Sequence, residues 1–264
     1  MRSIGGSLRS ESFGCNGGWS MNALVRTVGS FTDRVSHLLE KVEYIRLKAP
    51  AEREEIFRLR YDAYLKEGAI LANEKRKLAD DFDNSENGYN FAIYIQGQLV
   101  SALRLHVLCP EHPASPAQQT FPDHLRPLVQ AGKTLIDPNR FVADYSLARS
   151  HPQLPYVTLR LGIMLAVHVD ADLITCTVRS EHHAFYKREY FAQSICEPRP
   201  YPTLIKPLGL MLIDFRRDRD AIIGRHGFYA STASERKALF GPPLSGAARP
   251  SSGRSFTSAA PCPP

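Results

Sequence analysis

A chain of 264 residues that is 43% hydrophobic and 23% charged can bury one sizeable core, and its average composition excludes collagen-like, disulfide-scaffold and wholly disordered classes. With 33 Lys and Arg against 27 Asp and Glu the net charge is +6, which favours an acidic partner or substrate. No apolar run approaches the roughly 18 residues of a membrane span, and the first twenty residues hold no apolar core of a secretory signal.

Residues 1 to about 20, rich in Gly and Ser, read as a flexible leader. Apolar residues at helical intervals (Leu24, Val25, Val28, Phe31, Val35, Leu38, Leu39) predict an amphipathic helix over Met21–Val42, broken near Gly29. Its apolar side is free to meet the core, a second subunit or a membrane surface. A short strand is predicted over Glu43–Lys48 and a helix over Ala51–Lys66, ended by Gly68, with a polar loop to Asn87. Phe91–Ile95 and Leu99–Val107 alternate as strands joined at Gln96-Gly97-Gln98, a hairpin signal. Cys109–Ala131 is a Pro-rich excursion, and Thr134–Ala143 reads as a further strand. The apolar run Pro155–Val169 predicts a buried helix, with Pro155 suited to its first turn. A strand over Asp172–Val178, a helix over Glu181–Tyr190 and strands over Phe191–Glu197 and Leu210–Phe215 follow. Fourteen of the 24 residues from Gly241 are Gly, Pro or Ser, which predicts a disordered tail. The order of elements predicts a mixed α/β sheet with helices on its faces, over a domain of residues 43–220 between a leader (1–42) and an extension (221–264).

Charged residues recur through this pattern at intervals too long for one helix face: Arg60, Asp80, Asp83, Arg104, Asp137 and Arg140. Only the fold can gather them, and a buried set of this kind is costly unless mutually paired. The five cysteines (Cys15, Cys109, Cys176, Cys196 and Cys262) are scattered without CxxC or metal spacing, which predicts free thiols in a reducing cytoplasm. His182-His183 has no third ligand in register, so no metal is expected. Gly132-Lys133-Thr134 fails as a P-loop because the required first glycine would fall at Pro127. Basic residues are dispersed and no helix-turn-helix, zinc-finger or RNA-recognition signature is present, so no nucleic-acid partner is expected.

The ordered series resembles a known family. An Arg ends a first helix (Arg60), D-x-x-D follows about twenty residues on (Asp80, Asp83), G-x-x-V-x-x-x-R-L comes next (Gly97 to Leu105, with Arg104), and then an acidic residue precedes an Arg-Phe pair (Asp137, Arg140, Phe141). This set and the order of elements are similar to the N-acyl amino acid synthases and acyl-homoserine-lactone synthases of the GNAT fold. The resemblance implies a GNAT-like mixed central sheet and transfer of a medium- or long-chain acyl group to an amine. Asp137 stands where lactone synthases carry Glu, and no Trp follows the first helix. These departures move the expectation from a lactone made with S-adenosylmethionine to acylation of a free amino acid. The Gly-rich pyrophosphate turn of coenzyme-A users would fall at Thr158–Ala166, which has one glycine at the wrong spacing. An acyl carrier protein, itself acidic, is therefore the expected donor, with no cofactor.

On this reading Asp137 takes the amine proton, directly or through water, and a backbone N–H near Phe141–Ala143 holds the oxyanion. Arg104 or Arg140 binds the acceptor carboxylate, Arg60, Asp80 and Asp83 shape the acceptor pocket, and Tyr186 protonates the departing thiolate. The competing readings are a structural ion-pair network for Arg60, Asp83 and Arg140, a core tyrosine at Tyr186, and a non-catalytic module that binds acyl carrier protein.

Overall fold

Gln96 and Gly97 both take positive φ, 51° and 76°, the backbone of a two-residue turn whose twist matches the strands it joins. They close the hairpin of β2 (Gly88–Ile95) and β3 (Gln98–Leu108). The computed structural model describes residues 29–242. The expected leader, the Met21–Val28 part of the predicted helix and the tail beyond 242 lie outside the described residues. Around the hairpin, β1 (Val42–Leu47), β4 (Leu135–Ala143), β5 (Leu173–Val178), β6 (Gln193–Arg199) and β7 (Leu208–Asp214) complete a seven-stranded sheet in the order β1-β2-β3-β4-β5-β7-β6. All neighbours are antiparallel except β4 and β5.

That one parallel pair is short. β4 and β5 pair only at Leu135↔Leu173 and Ile136↔Ile174, then diverge. Strand residues alternate sides, and the Thr134 carbonyl accepts from Leu173 N (3.3 Å), so Pro138 falls on the β5 side. Proline has no N–H to give, and the ladder stops before it. A bulge follows on the other edge: Ala102 faces Val142 and Arg104 faces Asn139, so Leu103 alone opposes Arg140 and Phe141. Arg140 absorbs the extra residue at φ 52°.

One face of the sheet is covered by α2 (Glu54–Lys66), α3 (Pro116–Thr120) and α4 (Pro122–Gln130). Ile56 of α2 packs with Ala92, Ala102 and Val142, and Phe121, Leu125 and Val129 pack with Leu108, Leu135 and Leu210. The other face holds the larger core around α6 (Leu154–His168), an apolar helix buried because α1 (Phe31–Leu39) and α9 (Ala233–Phe240) lie against it. α5 (Tyr145–Ser150), α7 (His183–Tyr190) and α8 (Phe215–Arg225) complete the helices.

Two expectations are corrected, and the packing continues past the expected boundary at 220. The first helix ends at Leu39, capped by Glu40, because Val42 already pairs with Ile95 in β1. The Pro-rich excursion is helical: Pro116 and Pro122 each occupy a first turn, where their missing N–H costs nothing. Residues 221–240 belong to the packed core, since α8 runs across position 220 and Phe240, 1% exposed, packs edge-on against Tyr89 and Phe91.

Candidate active site

The D-x-x-D turn builds the site's scaffold. Asp80 Oδ1 accepts from Phe82 N (3.0 Å) while Asp83 Oδ2 accepts from Asp80 N (3.0 Å), a reciprocal cap that points both carboxylates inward. Asp83 Oδ1 receives Arg60 Nη1 from α2 at 2.7 Å and lies 2.8 Å from Arg104 Nη1 on β3. Asp80 is gripped by Arg104 (Nη1 2.6 Å, Nη2 3.1 Å) and by Arg140 on β4 (Nη2 2.6 Å, Nε 3.1 Å). Successive strand residues normally face opposite ways, but the bulge lets Asn139 and Arg140 join the same cluster, Asn139 by accepting Arg104 Nε at 2.7 Å.

Arg60 and Arg104 are fully buried, and Asp83 and Arg140 nearly so. Burial pushes the Asp80 carboxyl up, but Arg104 and then Arg140 outweigh it and hold the group well below the usual carboxylate range. Burial opposes ionisation of Asp83 too and is overcome by Arg60 and Arg104. Burial pulls the Arg60 guanidinium down to about 10 against Asp83. His106 beneath them accepts from Asn139 Nδ2 (3.0 Å) and donates to the Phe82 carbonyl (3.2 Å), and burial, with Arg104 beside it, lowers its pKa to about 3. The imidazole is neutral, so three guanidiniums face two carboxylates and the cluster keeps one positive charge.

A cavity of about 800 Å³ opens where β4 and β5 part. Its walls are mostly apolar and aromatic, with Phe141, Ile163, Ile174, Phe185 and Leu208 among them. Its polar groups include Tyr64, Arg140, Thr175, Tyr186 and Tyr201, with Lys66, Glu67, Arg179, His182 and Lys206 also in the lining. Of the residues expected in the site, Arg140, Phe141 and Tyr186 line this cavity. Burial pushes the Tyr186 phenol well up, which keeps it protonated.

Arg60, Asp80, Asp83 and Arg104 stand behind Arg140. Arg104, one of the two arginines expected to bind an acceptor carboxylate, has its Nε, Nη1 and Nη2 all engaged inside the cluster. Arg140 differs, because its buried Nη1 has no hydrogen-bond partner.

Asp137 lies one layer back. It is fully buried, accepts from Ala117 N of α3 (3.1 Å), and receives the Thr175 hydroxyl at 3.0 Å, while burial raises its carboxyl. Thr175 itself lines the cavity, so Asp137 reaches the opening through that hydroxyl. Thr175, Tyr201 and Thr203 were not expected. Thr175 sits in a β-branched run that alternation reads only as strand, and the two others lie in a Pro-flanked loop whose position depends on β6 and β7.

The expected pyrophosphate segment, Thr158–Ala166, is the middle of α6. Arg160 there is tied to the Phe228 carbonyl (2.6 Å) and Glu235 (2.8 Å), and Gly162 packs against Pro138.

Residues 55–214, from the first turn of α2 to the end of β7, match the family model of the N-acyl amino acid synthase FeeM. The chain belongs to this family. It is an N-acyltransferase with the acyl-CoA N-acyltransferase (GNAT) fold. The solved structure of FeeM, an N-acyl amino acid synthase from uncultured soil microbes, is similar at a TM-score of 0.55 and 15% identity, covering 75% of this chain and 94% of that one. BjaI, a CoA-dependent acyl-homoserine lactone synthase solved with MTA, gives 0.51 at 15% identity over 71% of this chain and 89% of its own. No curated protein matches the sequence. Among the described residues no helix is long and apolar enough to cross a membrane.

Proposed function

We propose that this FeeM-family protein moves a medium- or long-chain fatty acyl group from an acyl carrier protein to the amine of a free amino acid. One observation carries the reading: an apolar cavity has at its polar end an arginine with an unpartnered Nη1, backed by a buried cluster with one excess positive charge. An acyl chain suits the walls and a carboxylate suits Arg140, since guanidinium donates to carboxylate in a charge-assisted bond.

In the reaction the neutral amine attacks the thioester carbonyl, a C–N bond forms and the C–S bond breaks. The amine proton passes through the Thr175 hydroxyl to Asp137, whose burial-raised pKa suits a base. The oxyanion is held by backbone N–H on the β4 edge that has no strand partner beyond Ile136. Tyr186, kept protonated by burial, supplies the proton to the departing thiolate.

The donor assignment rests on the α6 N-terminus. Leu154 N is bonded to the His151 carbonyl, residue 155 is proline, and Tyr156 N and Val157 N both go to the Gln153 carbonyl. The first turn of α5 is filled by the Asp144 carboxylate, which accepts from Ser146 N and Leu147 N at 2.9 Å. A pyrophosphate needs several free N–H groups and no competing anion; a carrier's arm brings one phosphate, and the net charge of +6 suits an acidic carrier.

The test is a mass-spectrometric assay of the full chain with long-chain acyl carrier protein and the twenty amino acids, with S-adenosylmethionine in a parallel tube. An N-acyl amino acid formed only with the protein is expected. A lactone with methylthioadenosine, or an untouched thioester, would overturn the reading. Within this assay Asp137→Asn is expected to lower kcat about a hundredfold or more while the acceptor KM stays within about twofold, and Thr175→Val to do the same. Full turnover in both variants would remove Asp137 from the mechanism.

A further inference from the structure

The loop between β6 and β7 crosses the polar end of the cavity. Tyr201, Leu204 and Lys206 line the cavity from it, and it is tethered by Ile205 N to the Ala69 carbonyl (2.8 Å) and by Lys206 Nζ to the Glu67 carbonyl (3.2 Å). A third tether is unusual. Thr203 Oγ1 accepts Arg140 Nη2 at 2.8 Å, and both partners have left-handed backbones, Thr203 at φ 69° and Arg140 at φ 52°. For a β-branched residue such a φ is an outlier, and strain of this kind persists where the surroundings hold it and clusters at functional sites. Thr203 is solvent-exposed, so no core packing requires it there.

We infer that Thr203 is a positioning residue: it latches the loop onto Arg140 and fixes the guanidinium with Nη1 free for the acceptor carboxylate. The geometry supports this directly. Asp80 takes Nε and Nη2 from one side, and Thr203 takes Nη2 from the loop. Between them they hold the planar fork by one edge, and the remaining nitrogen is Nη1, which has no partner. Without the Thr203 oxygen, Arg140 keeps its anchor to Asp80 but is free to rotate toward the loop. The inference rests on the acyl-transfer reading above.

The test uses the full chain and compares an amino acid with the matching amine that lacks the carboxylate. Thr203→Val keeps the branched shape and removes the hydrogen bond; Thr203→Gly removes both bond and strain; Thr203→Ser keeps the hydroxyl. The Val and Gly variants are expected to raise the KM for the amino acid about tenfold with kcat within about twofold, and to leave the carboxylate-free amine unaffected. The Ser variant is expected to stay within about twofold of the native protein. Melting temperatures should move by no more than about 2 °C, since the side chain is exposed. A purely structural role would shift both acceptors together, and that result overturns the latch. So does a Gly variant with native KM, which would mean the strained backbone carries no function. No acyl transfer by the native chain would be a failure of the acyl-transfer reading itself, and is told apart by the unchanged thioester.

Discussion

Asp83→Ala is expected to lower the unfolding midpoint by about 6–20 °C. Among the described residues Asp83 is the one carboxylate bonded to Arg60, whose guanidinium is otherwise met by Asn90 Oδ1 at 2.9 Å, and both Asp83 and Arg60 are buried. Its removal leaves Arg60 without a carboxylate partner, leaves Asp80 as the cluster's one carboxylate against three guanidiniums, and deletes the cap on Asp80 N. Breaking a buried pair on one side costs about 3–5 kcal/mol because a charge is left uncompensated, and a chain of this size loses about 2–4 °C per kcal/mol. The pH dependence has a definite sign. Both carboxylates titrate lower in the folded protein than in the unfolded chain, so their stabilisation is present above the unfolded value near ~4 and is lost as pH falls below it. Asp83→Asn should flatten that acid limb. Thermal melts of the native and variant proteins between neutral and acid pH check both statements; a midpoint change under about 2 °C at neutral pH would mean that the cluster does not hold the helix to the sheet.

Arg140→Gln is expected to act on activity instead. It leaves Arg60 and Arg104 facing Asp80 and Asp83, two charges against two, so the cluster is balanced and the fold should survive. What is lost is the nitrogen available to an acceptor carboxylate. A hydrogen bond to a charged group is worth about 1.5–3 kcal/mol, so kcat/KM for an amino acid should fall roughly 10- to 150-fold. The amine without a carboxylate should be used almost as well as before. Steady-state kinetics with the two acceptors decide it: if both fall together, Arg140 is part of the framework and the carboxylate is bound elsewhere.

Much of this architecture was legible beforehand. The hairpin at Gln96-Gly97, the helix ending near Lys66, the buried helix at 154–168 and the strand carrying Asp137 and Arg140 follow from local periodicity and turn chemistry, which act over a few residues. The charged series was also visible, because Arg60, Asp80, Asp83, Arg104 and Arg140 interrupt segments that otherwise read as helix and sheet, and their order carried the family resemblance that the matched model supports. The helices at 116–130 were hidden by their prolines: Pro116 and Pro122 suit a first turn, while Pro127 lies inside α4, where a proline reads as a break. α8 and α9 were hidden by weak amphipathicity; their burial comes from α6 and the sheet, which no local window contains.

By itself, then, the sequence determined most of the strands, the helices at 54–66 and 154–168, the family and the list of charged residues that had to meet. Where each of those residues sits and what it bonds to was decided by the tertiary structure alone. Arg104 and Arg140 look equivalent along the chain, yet Arg104 is saturated on β3, while a bulge brings Arg140 both to Asp80 and to the cavity lining with its buried Nη1 unpartnered. Asp137 looks like a residue of the opening and lies behind Thr175. The physical reason is the same in both cases: the assignment of a donor or a proton depends on distances and register across strands, and one extra residue in a ladder changes which face a side chain occupies.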